Sequence, residues 1–348
     1  MTTLSPLSDR LDRSLGVLRL SLTARCNLAC TYCCPTNAES DARLTLSAQL
    51  AVIRGACELG ARSLRLTGGE PLLSDRLEPL LQAVACGRAD PQDPLSRLRD
   101  VALTSNGMLL SQARAGQLRR LGLDRITISL DGVHAERVGQ MAGRPGSGAR
   151  VFEQVLSGLN SARAAGFDPL QGQLKLNSVI QRDVNDDQVV PLAALARELG
   201  VELRLIEYMD VGQRNGWGVA QVMPAAEMLR LIGNHWPLEP LPRAAGSTSS
   251  RWRYRDQRGV VGVIASITKP FCGDCNRLRV TADGMAYTCL FASQGTDLRV
   301  WLMPAVDQIG LREALQDLWR HRSDRYSEER GQANGHRGSR PEMAYLGG

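Results

Sequence analysis

Short runs of apolar, β-favouring residues alternate with longer segments of helical period along the first two thirds of the chain. The predicted strands cover residues 17–22, 63–67, 101–104, 126–130, 174–180 and 203–207. The predicted helices cover residues 47–59, 75–86, 111–121, 150–165, 187–199 and 225–232. This alternation predicts an α/β fold with a parallel sheet and right-handed crossovers. Because there are six units rather than eight, we expect an incomplete (β/α)6 TIM-type barrel that is open along one side.

The alternation stops after residue 232, and the pattern beyond it predicts a smaller C-terminal region. Two strands are predicted at residues 252–254 and 260–267, and an amphipathic helix is predicted at 307–320. Residues 321–341 are too polar and too glycine-rich to predict good packing. We therefore expect a partial barrel over residues 1–235, a second region over 236–320 and a flexible tail over 321–348 that ends in Gly347 and Gly348.

Composition limits the partners and the location. The chain has 348 residues, of which 43% are hydrophobic, and its net charge of +6 indicates an anionic partner, either a polyphosphate or nucleic acid. Aromatic residues make up only 4% of the chain, which favours a small phosphate ligand, because surfaces that stack bases usually carry more of them. No apolar run approaches membrane length and the start lacks the pattern of a signal peptide, so we expect a cytoplasmic protein that does not bind membranes.

Polar and unusual residues gather around the carboxyl ends of the predicted strands. In chain order they are the cysteines at 26, 30 and 33, Gly-Gly-Glu-Pro at 68–71, Ser-Asn-Gly at 105–107, Ser129 with Asp131 and Gly132, Lys175 with Asn177, and Tyr-Met-Asp at 208–210. The carboxyl ends of the strands carry the active site in β/α barrels. The sequence therefore predicts one site at this mouth of the barrel.

Six of the nine cysteines fall in two tight groups, which indicates metal binding in a reducing compartment. The first cysteine group, Cys26, Cys30 and Cys33, has the spacing CxxxCxxC on a loop after the first strand. A four-iron cluster usually takes four cysteines, so three thiolates would leave one iron open for chemistry. Zinc is the alternative, but it needs a fourth ligand and no histidine precedes His134. Together with Gly-Gly-Glu at 68–70, this group resembles the cluster loop and GGE motif of the radical S-adenosylmethionine (SAM) superfamily.

The second cysteine group, Cys272, Cys275 and Cys289, has the spacing CxxC followed by thirteen residues and a third cysteine. It also offers three thiolates without an obvious fourth ligand, because His235 and His321 are both distant in sequence. A zinc ribbon that lacks one ligand and a second iron–sulfur cluster with an open iron are both compatible with this spacing.

The motifs resemble the GTP 3′,8-cyclase family of molybdenum cofactor biosynthesis over nearly the whole chain, from residue 18 to the terminus. The segments that carry the resemblance are LRLSLTARCNLACTYC, LRLTGGEPL, LTSNG, ISLDG, KLNSVIQRDVNDDQ, LRLIEYMDVGQRNGW, FCGDCNRLRVTADG and the closing MAYLGG. Within the radical SAM superfamily, the pattern FCxxCNRxRxTxxG with a later cysteine is specific to this family.

This resemblance implies two [4Fe–4S] clusters and SAM as cofactors, and GTP as the substrate. The cluster on the first cysteine group would cleave SAM reductively to a 5′-deoxyadenosyl radical, which abstracts the ribose 3′ hydrogen of GTP. The ribose carbon then attacks carbon 8 of guanine and gives (8S)-3′,8-cyclo-7,8-dihydroguanosine 5′-triphosphate. The cluster on the second group would bind the guanine edge through its open iron. The implied partners are an electron donor of flavodoxin or ferredoxin type, a downstream cyclic pyranopterin monophosphate synthase, and a second copy of the chain in a homodimer.

The resemblance also assigns residues to the two ligands. The SAM side would be lined by Tyr32, Gly69, Glu70, Thr104, Ser129 and Met209. The GTP side would be lined by Arg19, Arg65, Lys175, Asn177, Arg204, Arg277 and Arg279, and Arg19 is also assigned to catalysis with the first cysteine group. Planar guanidinium groups match the charge and geometry of a triphosphate, which supports the arginines on physical grounds as well.

Two positions depart from the family pattern, and the chain end matches it. Ser63 stands where a lysine for the triphosphate is often found, so that contact is left open here. Cys34 stands where methionine is usual, and we interpret it as a bystander. Gly347 and Gly348 match a double-glycine tail that is inserted towards the active site. We therefore expect deletion of both glycines to abolish turnover and to leave the iron content unchanged.

Two other functions compete with this interpretation. A radical SAM enzyme that modifies a peptide could also carry an additional cysteine group, but Arg277 and Arg279 speak against a peptide substrate. A non-catalytic iron–sulfur or zinc protein could bind nucleic acid through a basic surface. That function would leave the Gly-Gly-Glu motif and the barrel pattern without a purpose.

Overall fold

The computed structural model describes residues 7–35, 43–330 and 340–347, and Gly348 lies outside them. Its first six strands are β1 Val17–Ser21, β2 Ser63–Thr67, β3 Asp100–Ser105, β4 Arg125–Ser129, β5 Leu174–Ile180 and β6 Glu202–Glu207. The helices of this part are α1 Leu46–Glu58, α2 Leu77–Ala89, α3 Gln112–Arg120, α4 Ala135–Met141, α5 Gly148–Ala164, α6 Val189–Leu199 and α7 Ala225–His235. The predicted alternation is confirmed, and α4 is an additional short helix. No helix in the described ranges combines the length and the apolar character that a membrane span requires.

The C-terminal third adds strands to both edges of the same sheet. It contains β7 Leu238–Leu241, β8 Ser250–Tyr254, β9 Val260–Ile264, β10 Arg277–Val280, β11 Met285–Tyr287 and β12 Thr296–Asp297, with helices α8 Arg299–Leu302, α9 Gln308–Arg320, α10 Tyr326–Glu329 and α11 Met343–Leu346. The strand order is β12-β11-β10-β1-β2-β3-β4-β5-β6-β9-β8-β7. Because β10 is parallel to β1 and β9 is parallel to β6, eight parallel strands lie side by side. The predicted α/β fold with a parallel sheet is confirmed, and the pairing does not close on itself within the described residues.

Alternate residues of each strand point to opposite faces of the sheet. Leu18 and Leu20 of β1 are buried in the core that the helices cover, and Arg19 between them faces the other side. In the register of the sheet, Arg19 is paired with Arg65 of β2 on one side and with Arg279 of β10 on the other. The parallel register therefore brings three arginines that are far apart in sequence into one row.

The polar segment that begins at residue 321 packs better than its composition predicts. Arg322 is only 4% exposed, and the ring of Tyr326 in α10 stacks on Phe291 with the centroids 4.8 Å apart. Met343 and Leu346 of α11 are buried as well. We therefore correct the expectation of poor packing for residues 321–330, because ion pairs and aromatic contacts hold polar residues in place here. Residues 331–339 lie outside the described ranges.

Candidate active site

A cavity of about 530 Å³ lies on the inner face of the parallel strands. Basic side chains dominate its wall, namely Arg19, Arg65, Arg125, Lys175, Arg204, Arg243, Arg251, Arg277, Arg279 and Arg322. The wall also includes three carboxylates, Asp100, Glu202 and Asp324. All seven residues predicted for the GTP side lie on this wall, as do the three cysteines of the second group. The cavity is therefore strongly cationic and adjoins a candidate metal site.

Arg65, Arg204 and Arg279 carry much of the uncompensated charge, since none of them forms an ion pair within the described ranges. Arg204 Nη2 donates to Thr127 Oγ1 at 2.9 Å, while the Nε atoms of Arg204 and Arg279 are buried and have no hydrogen-bond partner in this part of the chain. Burial lowers the pKa of each of the three guanidinium groups to about 10, and repulsion from neighbouring arginines contributes. Because buried charges normally require a partner, this wall is suited to a multiply charged anion.

Other residues predicted for the GTP side already have partners within the protein. Lys175 Nζ lies 3.0 Å from Glu202 Oε2, and Arg277 donates to Cys275 Sγ at 3.0 and 3.3 Å. Asn177 is different, because its Oδ1 atom is buried without a partner in the described structure. The wall therefore combines arginines that lack a counter-charge with side chains whose orientation is already fixed.

Ser63 lies at the floor of the cavity, where the parallel strands begin. Its hydroxyl donates to Asp100 Oδ2 at 2.7 Å, and Asp100 forms a bidentate ion pair with Arg125. Burial opposes ionisation of Asp100, but the guanidinium of Arg125 outweighs it and lowers the pKa of the carboxyl group. Ser63, the position that departs from the family pattern, is thus hydrogen-bonded to the internal ion pair of Asp100 and Arg125.

Backbone hydrogen bonds hold the loop that carries the first cysteine group. The amide of Gly69 donates to Thr23 O at 2.7 Å, and the amide of Glu70 donates to Arg25 O at 2.8 Å. A Cβ atom at Gly69 would overlap the carbonyl oxygen of Arg25. Glycine is therefore required at this position so that the cysteine loop can lie directly against the end of β2.

The carboxylate of Glu70 is buried and connects the segments at the ends of β2 and β3. Its oxygens accept hydrogen bonds from Leu72 N at 3.0 Å, Ser105 Oγ at 2.8 Å and Asn106 N at 2.8 Å. Burial raises the pKa of Glu70 in spite of these donors. Asn106 continues towards the cysteine loop, with its Nδ2 atom 4.0 Å from Cys26 Sγ. A carboxylate has about four acceptor positions, so Glu70 retains capacity for one further donor.

Tyr32 connects the cysteine loop to the segment that follows β4. Its hydroxyl donates to Asp131 Oδ2 at 2.9 Å, and Asp131 Oδ1 accepts from Val179 N at 2.8 Å. Burial raises the pKa of Asp131 to about 6. The loop is thereby fixed at both ends, by the Gly-Gly-Glu segment after β2 and by Asp131 after β4.

The remaining residues predicted for the SAM side lie along the strand ends. Thr104 and Met209 line the cavity. Ser129, the last residue of β4, is in register with Asn177 of β5. Met209 also packs against the same apolar side chains as Tyr32 and Cys33 of the cysteine loop. That any of these residues binds SAM stays a prediction.

Arginines surround the second cysteine group at the start of β10. Burial alone would raise the pKa of Cys275, but Arg277, Arg322 and Arg279 outweigh it and lower the pKa to about 6. Cys289 differs, because burial and the nearby carboxylate of Asp324 raise its pKa to about 11. The second group is therefore an uneven set of thiols within a cationic wall.

Both cysteine groups contact one apolar cluster at the mouth of the barrel. The cluster consists of Val211, Tyr287, Phe291, Met343 and Leu346. Cys33 of the first group and Cys289 of the second group pack against it, as do Tyr32 and Met209. Among the described residues, those that line the cavity do not include the first group. The two groups are thus linked through this cluster, to which α11 contributes Met343 and Leu346.

The chain end lies among the carboxyl ends of the strands. Gly347 has a left-handed backbone conformation with φ of +71°, and its carbonyl accepts hydrogen bonds from Arg19 Nη2 at 2.9 Å and Nε at 3.3 Å. A Cβ atom at Gly347 would overlap Thr67 Oγ1 and contact Ser21. Arg19, which is predicted for GTP binding and catalysis, therefore contacts the tail in this structure.

The chain matches two protein families over adjoining ranges. Residues 20–196 match the radical SAM superfamily, and residues 201–328 match the family described as Molybdenum Cofactor Synthesis C. The chain is 61% identical to the GTP 3′,8-cyclase of Parasynechococcus marenigrum strain WH8102, over the full length of both proteins. It is 44% identical to the GTP 3′,8-cyclase of Acidothermus cellulolyticus, over 93% of this chain and 89% of that one. This chain belongs to the GTP 3′,8-cyclase family.

Solved structures of two proteins with bound SAM share the fold of this GTP 3′,8-cyclase family member. SuiB from Streptococcus suis superposes with a TM-score of 0.58 at 13% identity, covering 96% of this chain and 72% of SuiB. The native protein anSMEcpe superposes with a TM-score of 0.56 at 14% identity, covering 95% of this chain and 93% of anSMEcpe. At such low identity these likenesses support the fold alone.

Radical SAM proteins use a [4Fe–4S] cluster and SAM, and GTP 3′,8-cyclases carry a second cluster. The donors present fit these groups, since each cysteine group offers three sulfur atoms of the kind that binds iron–sulfur clusters. Burial raises the pKa of Cys26, Cys30 and Cys33, and coordination by a metal would overcome this by removing the proton. Within the described ranges no three His, Cys, Asp or Glu side chains converge to hold one metal ion. A four-iron cluster spreads its ligands over separate iron atoms and does not need such convergence.

Four arginines on the cavity wall of this GTP 3′,8-cyclase family member are absent from the predicted site, namely Arg125, Arg243, Arg251 and Arg322. Arg125 can be identified from the sequence, because it lies four residues before the predicted site residue Ser129 and alternate residues of a strand share a face. Arg251 Nη2 lies 3.0 Å from Glu202 Oε2. That contact depends on the long-range pairing of β9, the neighbour of β8, with β6, for which the local sequence gives no signal.

Proposed function

We propose that this protein is a radical SAM GTP 3′,8-cyclase, which converts GTP to (8S)-3′,8-cyclo-7,8-dihydroguanosine 5′-triphosphate in the first step of molybdenum cofactor biosynthesis. The observation that carries the proposal is the set of arginines, Arg65, Arg204 and Arg279, beside the second cysteine group. These guanidinium groups have no carboxylate within ion-pair distance in the described ranges, and a triphosphate supplies several negative charges in one ligand. The identity of 61% to a full-length GTP 3′,8-cyclase supports the same substrate.

On the substrate side, the proposed task of the protein is to hold GTP in one orientation. Arg19, Arg65, Lys175, Asn177, Arg204, Arg277 and Arg279 would bind the nucleotide, and the cluster on Cys272, Cys275 and Cys289 would hold the purine. Arg277 already donates to Cys275 Sγ, and Lys175 is already paired with Glu202. Side chains that are fixed before the ligand arrives reduce the entropy lost when the ribose is positioned.

On the SAM side, Cys26, Cys30 and Cys33 would hold the first cluster. When bound, that cluster and SAM supply a 5′-deoxyadenosyl radical for abstraction of the ribose 3′ hydrogen. The backbone of Gly69 and the remaining acceptor position of Glu70 suit the ammonium group of SAM, which needs acceptors. The full proposed set is Tyr32, Gly69, Glu70, Thr104, Ser129 and Met209, with Arg19 assigned to catalysis.

Several finer assignments follow from family membership and are proposed on that basis. The electron donor would be of flavodoxin or ferredoxin type, and a cyclic pyranopterin monophosphate synthase would consume the product. We also propose a homodimer in the cytoplasm. The proposed division of the chain is a radical SAM barrel over residues 1–235, a second cluster region over 236–320 and a tail over 321–348.

The proposal is tested with the full chain, reconstituted anaerobically with iron and sulfide and supplied with SAM and a reductant. We expect GTP labelled with deuterium at the ribose 3′ position to transfer the label to 5′-deoxyadenosine, and the cyclised triphosphate to form. ATP serves as the matched control and should give neither result. If SAM cleavage were independent of GTP, or were stimulated by peptides and not by GTP, the proposal would be rejected in favour of another radical SAM reaction.

A further inference from the structure

A buried group of charged side chains lies behind the second cysteine group and comes from two distant parts of the chain. We call it the charge cluster, and it consists of Asp9, Arg13, Arg322 and Asp324. Asp9, Arg13 and Arg322 are at most 5% exposed, which is rare for charged residues. None of the four belongs to the motifs that the sequence analysis identifies, so their burial requires a separate explanation.

Asp9 is the centre of the charge cluster. Its Oδ2 atom accepts from Arg13 Nε at 2.6 Å and from Arg322 Nη1 at 3.2 Å. Its Oδ1 atom accepts from the backbone amides of Leu11 and Arg13, both at 2.9 Å. The carboxylate of Asp9 therefore fixes the turn at residues 9–13. It also holds two guanidinium groups that come from opposite ends of the chain.

The two arginines extend from Asp9 to the backbone of the second cysteine group. Arg13 Nη1 donates to Cys272 O at 2.8 Å, and Arg322 Nη1 donates to Cys275 O at 2.6 Å. These carbonyls belong to the two cysteines of the CxxC motif. A charged donor on each carbonyl fixes both ends of the motif, because charge-assisted hydrogen bonds are short and directional.

Asp324 connects the charge cluster to the third cysteine of the group, Cys289. Its Oδ2 atom accepts from Thr288 Oγ1 at 2.6 Å, and Thr288 directly precedes Cys289. Asp324 is itself held by Arg322 Nε at 3.4 Å and, through its carbonyl, by Arg13 Nη1 at 2.8 Å. One ion-pair network therefore contacts the backbone or the direct neighbour of all three cysteines.

Stability alone does not account for this arrangement. Buried ion pairs lose much of their hydration, and apolar residues of similar size often stabilise a protein as well or better. The surroundings enforce the geometry further, because the guanidinium of Arg322 lies 4.7 Å above the ring of Trp319, whose Nε1 atom donates to Arg13 O at 2.9 Å. Such a network is better explained by a requirement for one defined geometry.

We propose that the charge cluster is the positioning device of the second cysteine group, and that it sets the spacing of Cys272, Cys275 and Cys289 before a cluster is inserted. Asp9 and Arg13 thereby make the N-terminal segment part of the metal site. The inference rests on the proposed function only in taking the second group to hold an iron–sulfur cluster. It needs neither GTP nor turnover.

The test compares Arg322→Gln and Arg13→Gln with Arg10→Gln, which changes an exposed arginine in the same N-terminal turn. Each full-length variant is reconstituted anaerobically, and its iron, its sulfide and the electron paramagnetic resonance spectrum of the reduced protein are measured. We expect Arg322→Gln and Arg13→Gln each to retain about half of the wild-type iron. Their spectra should match the spectrum of a protein in which all three cysteines of the second group are changed to serine. Arg10→Gln should retain full iron, and Arg322→Lys should recover part of the lost signal because it keeps the charge.

Two results would overturn the proposal. Full iron and an unchanged spectrum in both Arg322→Gln and Arg13→Gln would show that the spacing does not depend on the charge cluster. Loss of iron from both sites, with a lower unfolding temperature of the apoprotein, would show a role in the whole fold instead. Failure of wild-type protein to cyclise GTP would reject the proposed function, while the iron measurements would still decide this inference.

Discussion

The two cysteine groups have the same number of thiols but differ in the charged side chains that act on those thiols. The first group lies on a loop fixed by backbone hydrogen bonds, including those from Gly69 and Glu70, and by Arg144 Nη2, which donates to the carbonyl of Asn27. Burial, together with the carboxylates of Glu70 and Asp131, raises the pKa of Cys26 and Cys30. The second group is fixed by guanidinium groups on the carbonyls of Cys272 and Cys275. Cysteine spacing alone would not distinguish these environments.

This difference agrees with the ligand that each group is proposed to serve. Carboxylates favour a cation, and SAM carries an ammonium and a sulfonium group. Arginines favour an anion, and GTP carries a triphosphate. The charges around the thiols therefore support the proposed assignment of SAM to the first group and GTP to the second.

Removing either cysteine group should give the largest and most informative effects. We expect Cys26→Ser with Cys30→Ser and Cys33→Ser to abolish SAM cleavage, because no site for the radical-generating cluster remains. We expect Cys272→Ser with Cys275→Ser and Cys289→Ser to retain some SAM cleavage and to form no cyclised product. Each triple variant should keep about half of the iron, four of eight atoms. Iron analysis and chromatography of 5′-deoxyadenosine and product check this, and equal loss of SAM cleavage in both variants would contradict the division of roles.

Deletion of Gly347 and Gly348 tests whether the tail serves both regions. The carbonyl of Gly347 accepts from Arg19, and α11 packs in the apolar cluster that contacts both cysteine groups. We expect product formation to fall below detection while iron content is unchanged, because the deletion removes a contact at the mouth and no metal ligand. Full activity of the truncated protein would refute this role, and a Gly348→Ala variant distinguishes length from side-chain size.

Glycine substitutions compare how closely the backbone is packed around the two groups. Gly69→Ala places a methyl group against the carbonyl oxygen of Arg25, so the first cysteine loop must move. Gly273→Ala, inside the CxxC motif of the second group, meets no atom within 4 Å. We expect the first change to lower SAM cleavage by roughly 100-fold, since small displacements of reacting groups cost about that much. Gly273→Ala should change the rate of SAM cleavage by no more than about twofold. Similar rates in Gly69→Ala and Gly273→Ala would contradict the packing argument.

The sequence predicts the parts of the molecule that depend on local patterns. Alternating apolar and helical segments are sufficient for β1 to β6, and motif spacing is sufficient for both cysteine groups. The same reasoning identifies Arg125, because it begins a strand whose inward face also carries the predicted site residue Ser129. In each case the signal lies within a few residues of the feature that it predicts.

The rest depends on contacts between distant segments. Arg13 contacts the carbonyl of Cys272, which is 259 positions away, and nothing in the N-terminal sequence indicates that partner. The parallel pairing of β10 with β1 brings Arg279 beside Arg19, although the local sequence does not predict β10 as a strand. Residues 321–330 appear unstructured from composition and pack because Arg322 finds buried acceptors. Polar residues that fold through specific partners leave no hydrophobic pattern to read.

Arg279→Gln tests the cationic side more mildly than loss of the cysteines. Arg279 is buried and has no ion-pair partner in the described ranges, so a bound triphosphate would be its main counter-charge. Removal of one partner from a buried charge pair costs about 2–5 kcal/mol, so kcat/KM for GTP should fall at least roughly 30-fold. The dissociation constant for SAM should not change. Arg253→Gln, which breaks an exposed ion pair with Glu239, is the control and should change neither value by more than about fivefold.

Ser63→Lys should have the smallest effect and tests the floor of the cationic side. The new ammonium group would lie beside Asp100, which already accepts from Ser63 and pairs with Arg125. Because that carboxylate would compensate part of the added charge, we expect GTP to bind only about two- to fivefold more tightly, the range of a partly solvated ion pair, and the gain to vanish at high salt. Ser63→Ala should leave the affinity unchanged, and titration calorimetry checks all three proteins. A gain above tenfold that persists in high salt would mean that the triphosphate reaches the floor and that the arginines above it leave a phosphate uncompensated.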